Sequence, residues 1–321
     1  MSLRHAALLI AAVSLSVVSP AESEEYVYVA NAASGTVSAV DTQTSKVTSF
    51  NVGQKPRAIA ASIDGARLYI AHQKGTLIER DLFTDKSVQL VVGTGAKAMH
   101  SSPDGKLLTV AIDGSDVVAL VDMATLRLLK TIKISGKDAE HAVFSPDGRW
   151  IYASAEDGDS IDVIDVAKGV EIKSIPVGHR LGGIGFLRDG TRAYATVNDT
   201  IAVVDVARHD VLARVKSSER LGAVAMHPDG KRLFVGAPSA ARVLAFDVQS
   251  NRFIASVGVG AGPSAMAFSA DGSRLYVACG GSNEVAVIDA STYERIRAIP
   301  VGMSPSAIVV SERPTLPRDG D

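Results

Sequence analysis

The chain has 321 residues, 46% of them hydrophobic, and a formal net charge of −2 at pH 7. That balance excludes the strongly basic surface that nucleic acid or an anionic membrane would require of a partner. A single cysteine, Cys279, excludes an intramolecular disulfide and a cysteine-based metal cluster.

Residues 1–21 read as a secretory signal peptide. Arg4 and His5 give a short positive start, residues 6–18 are apolar but too few to span a bilayer, and Ser19-Pro20-Ala21 offers small residues for cleavage. The remainder is expected to be periplasmic or secreted, with no membrane span after cleavage.

A unit then repeats through residues 25–312. An Asp-x-x-Thr pattern, relaxed at its last position in three copies, starts at Asp41, Asp81, Asp122, Asp165, Asp205, Asp247 and Asp289. The intervals of 40 to 43 residues match one four-stranded propeller blade per repeat. Between these copies lie Asp-Gly turns, at Asp64-Gly65, Asp104-Gly105, Asp147-Gly148, Asp189-Gly190, Asp229-Gly230 and Asp271-Gly272. Aspartate bonds its local backbone and glycine takes the left-handed position, so each pair marks a tight turn between two strands. Residues 262–301 show one complete unit. Short strands are expected near 263–269, 274–279, 284–288 and 295–301, rich in Val, Ile and Tyr and separated by turn residues. No segment has a helical period.

The ends predict how the ring closes. Residues 25–52 supply three strands without a first one, and residues 305–311 supply a first strand with nothing after it. Joined, they make a seventh blade. The expected fold is therefore all-β: a seven-bladed β-propeller with four antiparallel strands per blade, closed by the C-terminal strand and leaving no open sheet edge. Residues 313–321, with Pro314 and Pro317, are expected to be a disordered tail.

Tyr28-Val29-Ala30-Asn31, Tyr69-Ile70-Ala71-His72 and Tyr276-Val277-Ala278-Cys279, each followed by a Val-rich or apolar strand and the Asp turn, resemble the YVTN family of seven-bladed propeller repeats. The resemblance covers nearly all of the chain after residue 21. It implies an exported bacterial protein similar to those associated with quinone-cofactor (PQQ) dependent alcohol catabolism. Related propellers include the large subunit of methylamine dehydrogenase, the haem d1 domain of nitrite reductase and lactonase-like sugar enzymes. Such a fold hosts many activities, so function must be argued from a site.

The Asp-Gly and Asp-x-x-Thr turns belong on one face of the ring. The opposite face, opening on the central channel, is the expected place for a ligand. Its loops carry Lys55, Arg57, Lys97, Lys137, Asp138, Glu140, His141, His179, Arg180, Glu219 and Arg220, which predicts a cationic mouth and a small anionic ligand. His141 stands where the other units have Ala58, Ala98, Gly183, Ala223, Ala265 and Ala307. His100 stands where they have Ala60, Val143, Gly185, Ala225, Ala267 and Val309. The two imidazoles are expected on neighbouring inner strands, where with Asp138 or Glu140 they are candidates for a metal or a cofactor iron.

Residues 111–116 and 156–160 form acidic loops, ordinary turns or a calcium site. His72, Gln73 and Lys74 occupy the corresponding loop of another blade. Cys279 reads as a core residue and His227 as a structural one on the far face. No nucleophile elbow, phosphate-binding glycine loop or His-Glu-x-x-His helix is present, and aromatic content of 5% is low for a sugar-binding propeller. The leading expectation is a monomeric periplasmic binding protein or scaffold, accessory to a quinoprotein or cytochrome redox system and holding an anionic ligand, a cofactor or a partner protein such as a redox protein at its channel face. A metal- or haem-dependent redox subunit using the channel histidines is the alternative, and a lactonase-like hydrolase the second. The sequence names no cofactor.

Overall fold

A computed structural model describes residues 24–155 and 157–313. Within them lie seven four-stranded antiparallel sheets and a single short 3-10 turn, Pro238–Ala240. The predicted unit is found within a residue or so of its expected limits, as strands Pro263–Phe268, Arg274–Cys279, Glu284–Asp289 and Glu294–Pro300. The expected signal peptide, Glu156 of the second acidic loop and residues 314–321 of the expected tail lie outside the described residues, while Arg313 ends the last strand.

Closure follows the sequence expectation. Pro305–Arg313 pairs antiparallel with Glu24–Asn31, which continues to Thr36–Asp41 and Val47–Asn51. Counting this closing sheet as the first blade, the inner strands of blades two to seven are Pro56–Ala61, Ala96–Ser101, Ala139–Phe144, Leu181–Phe186, Val224–Met226 and Pro263–Phe268. Each inner strand touches the inner strands on either side, and the series returns to Pro305–Arg313.

The core is divided. Seven apolar clusters each bridge two neighbouring blades, so the ring is held by face-to-face sheet packing, with no common centre. The second strand of six blades contributes one large aromatic to this packing: Tyr28, Tyr69, Tyr152, Tyr194, Phe234 and Tyr276, all at most 2% exposed. Small residues sit opposite them on the inner strands, for example Ala60 facing Tyr69 and Ala267 facing Tyr276. Blade three inverts the pair, with Thr109 facing His100.

The recurring aspartates are turn caps. Asp41, Asp81, Asp122, Asp165, Asp205, Asp247 and Asp289 each accept the backbone N–H three residues on, at 2.7–3.0 Å. This geometry needs only a main-chain donor at the last position, so Lys168, Arg208 and Ser250 replace threonine there without loss. Side-chain hydroxyls also tie one blade to the next. Thr196 donates to the Gly222 carbonyl at 2.6 Å, Ser264 to Pro305 at 2.9 Å and Ser306 to Pro56 at 3.1 Å.

Candidate functional site

The seven inner strands surround a central cavity of about 170 Å³, and all seven contribute to its lining. It opens into a wider mouth of about 390 Å³ that shares Arg57, Lys97, Ala98, His141, Ser264 and Ser306 with it and adds Glu140. A local irregularity aims several of these side chains. The pairing register skips one residue between Pro56 and Ala58, between Ala139 and His141, between Pro263 and Ala265, and between Pro305 and Ala307. Arg57, Glu140, Ser264 and Ser306 occupy the skipped positions. A bulge leaves its residue out of the ladder and redirects the side chain, here toward the channel mouth.

The expected rim residues separate into three groups. Arg57, Lys97, Glu140, His141 and, deeper, His100 come together at the channel. Lys55, Lys137 and Arg220 are exposed and lie outside its lining. His179 and Arg180 line a separate open depression of about 860 Å³ with Asp157, Asn198, Asp199, Thr200 and Arg214. Lys55 and Arg180 precede their inner strands with φ of 55° and 61°, a left-handed conformation that glycine fills at Gly95 and Gly262. These residues serve the turn into the strand and leave their charges in water.

Positive charge at the mouth is concentrated on Arg57. Lys97, whose side chain is 15% exposed, lies 3.4 Å from Asp138 and 3.7 Å from Asp113. Those two carboxyls are hydrogen-bonded to each other. Their interaction holds the Asp113 acid above its ordinary value and Asp138 below its own, while Lys97 favours the charged form of both. Gly114 N–H also donates to Asp138 at 3.2 Å, and the Asp138 N–H donates to Asp116 at 2.9 Å. The first acidic loop is therefore knitted to Lys97. His179 Nδ1 meets the Asp159 carboxylate. Arg57 has no ion-pair partner among the described residues.

His100 and His141 line the same cavity, on adjacent inner strands. Burial pushes each imidazole down to about 4, and for His141 the nearness of His100 and then Lys97 adds to the effect. Both rings are thus neutral at pH 7, each with one N–H and one bare nitrogen. Neither ring has a protein hydrogen-bond partner among the described residues. The metal expectation meets a test in the donor set: among the described residues, no three His, Cys, Asp or Glu side chains converge on one point. The pair offers two imidazoles without a third such donor among the described residues.

The remaining candidates are structural. His72 is 6% exposed and its Nδ1 lies 2.9 Å from the Gln54 carbonyl. Its loop neighbours Gln73 and Lys74 are exposed. Through Nε2, His227 bonds the Gly272 carbonyl at 2.9 Å. Cys279 is fully buried in an inter-blade cluster. Sequence comparison of the repeats did not find the bulges, the Asp113–Asp138 pair, or the part played by Met99 and Met266 in the cavity wall. Only the bulges had a readable signal, an extra residue in several inner strands relative to their partners.

These features define a seven-bladed β-propeller with one side-chain-lined site in its channel. The chain belongs to the YNCE-like β-propeller family, whose model matches residues 78–315. Similar solved structures include hydrazine synthase of Kuenenia stuttgartiensis, 24% identical with a TM-score of 0.77, covering 82% of this chain and 92% of that one. A functionally unknown protein from Desulfotomaculum acetoxidans is 16% identical with a TM-score of 0.76, covering 90% and 99%. The dihydro-haem d1 dehydrogenase NirN, in complex with DHE, is 16% identical with a TM-score of 0.66, covering 88% and 74%. At such identities the likeness is one of fold. No curated protein matches the chain. No helix among the described residues is long and apolar enough to cross a membrane.

Proposed function

We propose that this chain is an exported binding protein that holds a small anionic ligand in its channel and serves a redox system as an accessory. One observation carries the reading. All seven blades converge on a single cavity, and the side chains that break the repeat, Arg57, Lys97, His100 and His141, come from three adjacent blades to line it. A guanidinium at the rim of a concave site, without a salt bridge among the described residues, attracts an anion, and two imidazoles inside it, without ring hydrogen bonds among the described residues, supply neutral hydrogen bonds. Support for the redox association comes from the YVTN-like repeats, similar to those of PQQ-linked exported propellers, and from the names of hydrazine synthase and NirN. A periplasmic setting follows from the signal-like residues 1–21.

Calorimetric titration with acetate, phosphate and sulfate at low ionic strength tests the site. Binding is expected for the wild type, weakening with added salt, and at least a tenfold loss for Arg57→Glu with an unchanged circular dichroism spectrum. Equal affinity in wild type and variant overturns the reading.

A further inference from the structure

Resting on the anion-binding reading above, we propose that the channel takes a monocarboxylate with a compact apolar body of about six non-hydrogen atoms, its head at the mouth and its body inward. The inner strands, aligned by blade, stack their residues in layers down the channel. The outermost layer is polar and holds Arg57, Lys97, Ser264, Ser306 and one acid, Glu140, with the two cations from neighbouring blades forming the anion-facing side. Below it come small residues such as Ala58, Ala98, Ala265 and Ala307, interrupted by His141. The third layer is apolar: Ile59, Met99, Ile184, Val224, Met266 and Ile308, from six of the seven blades, line the cavity at equivalent positions. An inorganic anion has no use for that layer, and an uncharged apolar molecule has none for Arg57.

Size and hydrogen bonding narrow the class. At about 30 Å³ of liquid volume per water-sized atom, the 170 Å³ cavity holds roughly six non-hydrogen atoms, one ring or a short chain. The wall is stiff, because Ile59, Met99 and Ile184 also belong to inter-blade cores. The serine hydroxyls at the mouth are already committed. Ser264 gives its proton to the Pro305 or Ala278 carbonyl, and Ser306 gives its own to Pro56 or Ala30. They can accept but not donate, so the carboxylate is held by the Arg57 guanidinium and the N–H of His141. Below the apolar layer the unpartnered ring of His100 offers a hydrogen bond to a hydroxyl at the far end of the ligand.

The test is calorimetry on the full chain at pH 7 with four probes: acetate, benzoate, 4-hydroxybenzoate and biphenyl-4-carboxylate. Benzoate should bind at least tenfold more tightly than acetate, since the ring is transferred from water to an apolar wall. 4-Hydroxybenzoate should equal or exceed benzoate, and biphenyl-4-carboxylate should fall back to the acetate level. Ile308→Trp, which fills the third layer, should remove the advantage of benzoate over acetate. Should that variant fail to fold, Met266→Phe fills the same layer. If acetate and benzoate bind equally, and both are lost in Arg57→Glu, the amphiphile proposal is overturned while the anion site stands. If no anion of any kind binds, the reading beneath it is overturned as well.

Discussion

Acidification provides a direct test of the two channel imidazoles. Their folded-state values of about 4 lie below the unfolded value of 6.5, so the unfolded chain takes up protons that the folded chain refuses. Stability attributable to them is therefore complete above pH 6.5, falls as the pH drops toward 4, and levels off below that. By pH 5 the linkage relation gives about 2 kcal/mol for each ring, or about 4 kcal/mol for the pair. Contact with channel water lowers the sum toward about 2 kcal/mol. With a urea m-value of about 3 kcal/mol/M, the unfolding midpoint moves down by about 1 M between pH 7 and pH 5. His209 is also lowered by burial and contributes in the same direction. Glu25, Glu79 and Asp113, raised above their ordinary values, oppose it. The channel share is isolated by the double variant His100→Val, His141→Ala, which installs residues that other blades carry at these positions. Urea unfolding followed by circular dichroism should show that variant with a pH 7 to pH 5 shift at least halved. A shift as large as that of the wild type refutes the assignment of the proton uptake to the channel.

Three further outcomes follow from the same structure. Burial pushes the Cys279 thiol up to about 11, so the folded chain should resist a disulfide exchange reagent at pH 8 and react stoichiometrically once unfolded. Asp289, drawn down to about 2 by the Ser291 hydroxyl and the Ser291 and Thr292 backbone, is a turn cap on the face away from the channel. Asp289→Ala should cost about 1 kcal/mol in urea unfolding and leave anion affinity unchanged. In blade three, Thr109→Tyr should destabilise by about 1–3 kcal/mol through overpacking against His100 and loss of the Thr109 bond to the Ala142 carbonyl. Adding His100→Ala restores the pairing seen in blade two, and a double-mutant cycle should recover at least about 1 kcal/mol.

The architecture was legible in the chain because it rests on local rules repeated seven times. Turn aspartates, Asp-Gly pairs and alternating apolar runs act within a few residues, so the blade limits and the closing strand emerged by counting. Comparing blades also singled out His100 and His141, since a residue that breaks a repeat is visible without coordinates. What surrounds those residues was decided by tertiary structure. Lys97 and Arg57 look alike in sequence, yet Asp113 and Asp138, the latter from the next blade, pair with Lys97 and leave Arg57 without a salt bridge among the described residues. Lys55 and Arg180, equally basic, adopt the left-handed conformation in the turns before their strands and are exposed outside the channel lining. Charge pairing, burial and bulge direction depend on contacts between blades some 40 residues apart in the chain, and no local pattern encodes them. The sequence therefore determined the ring and its irregular members, while packing between blades decided which of them share one cavity.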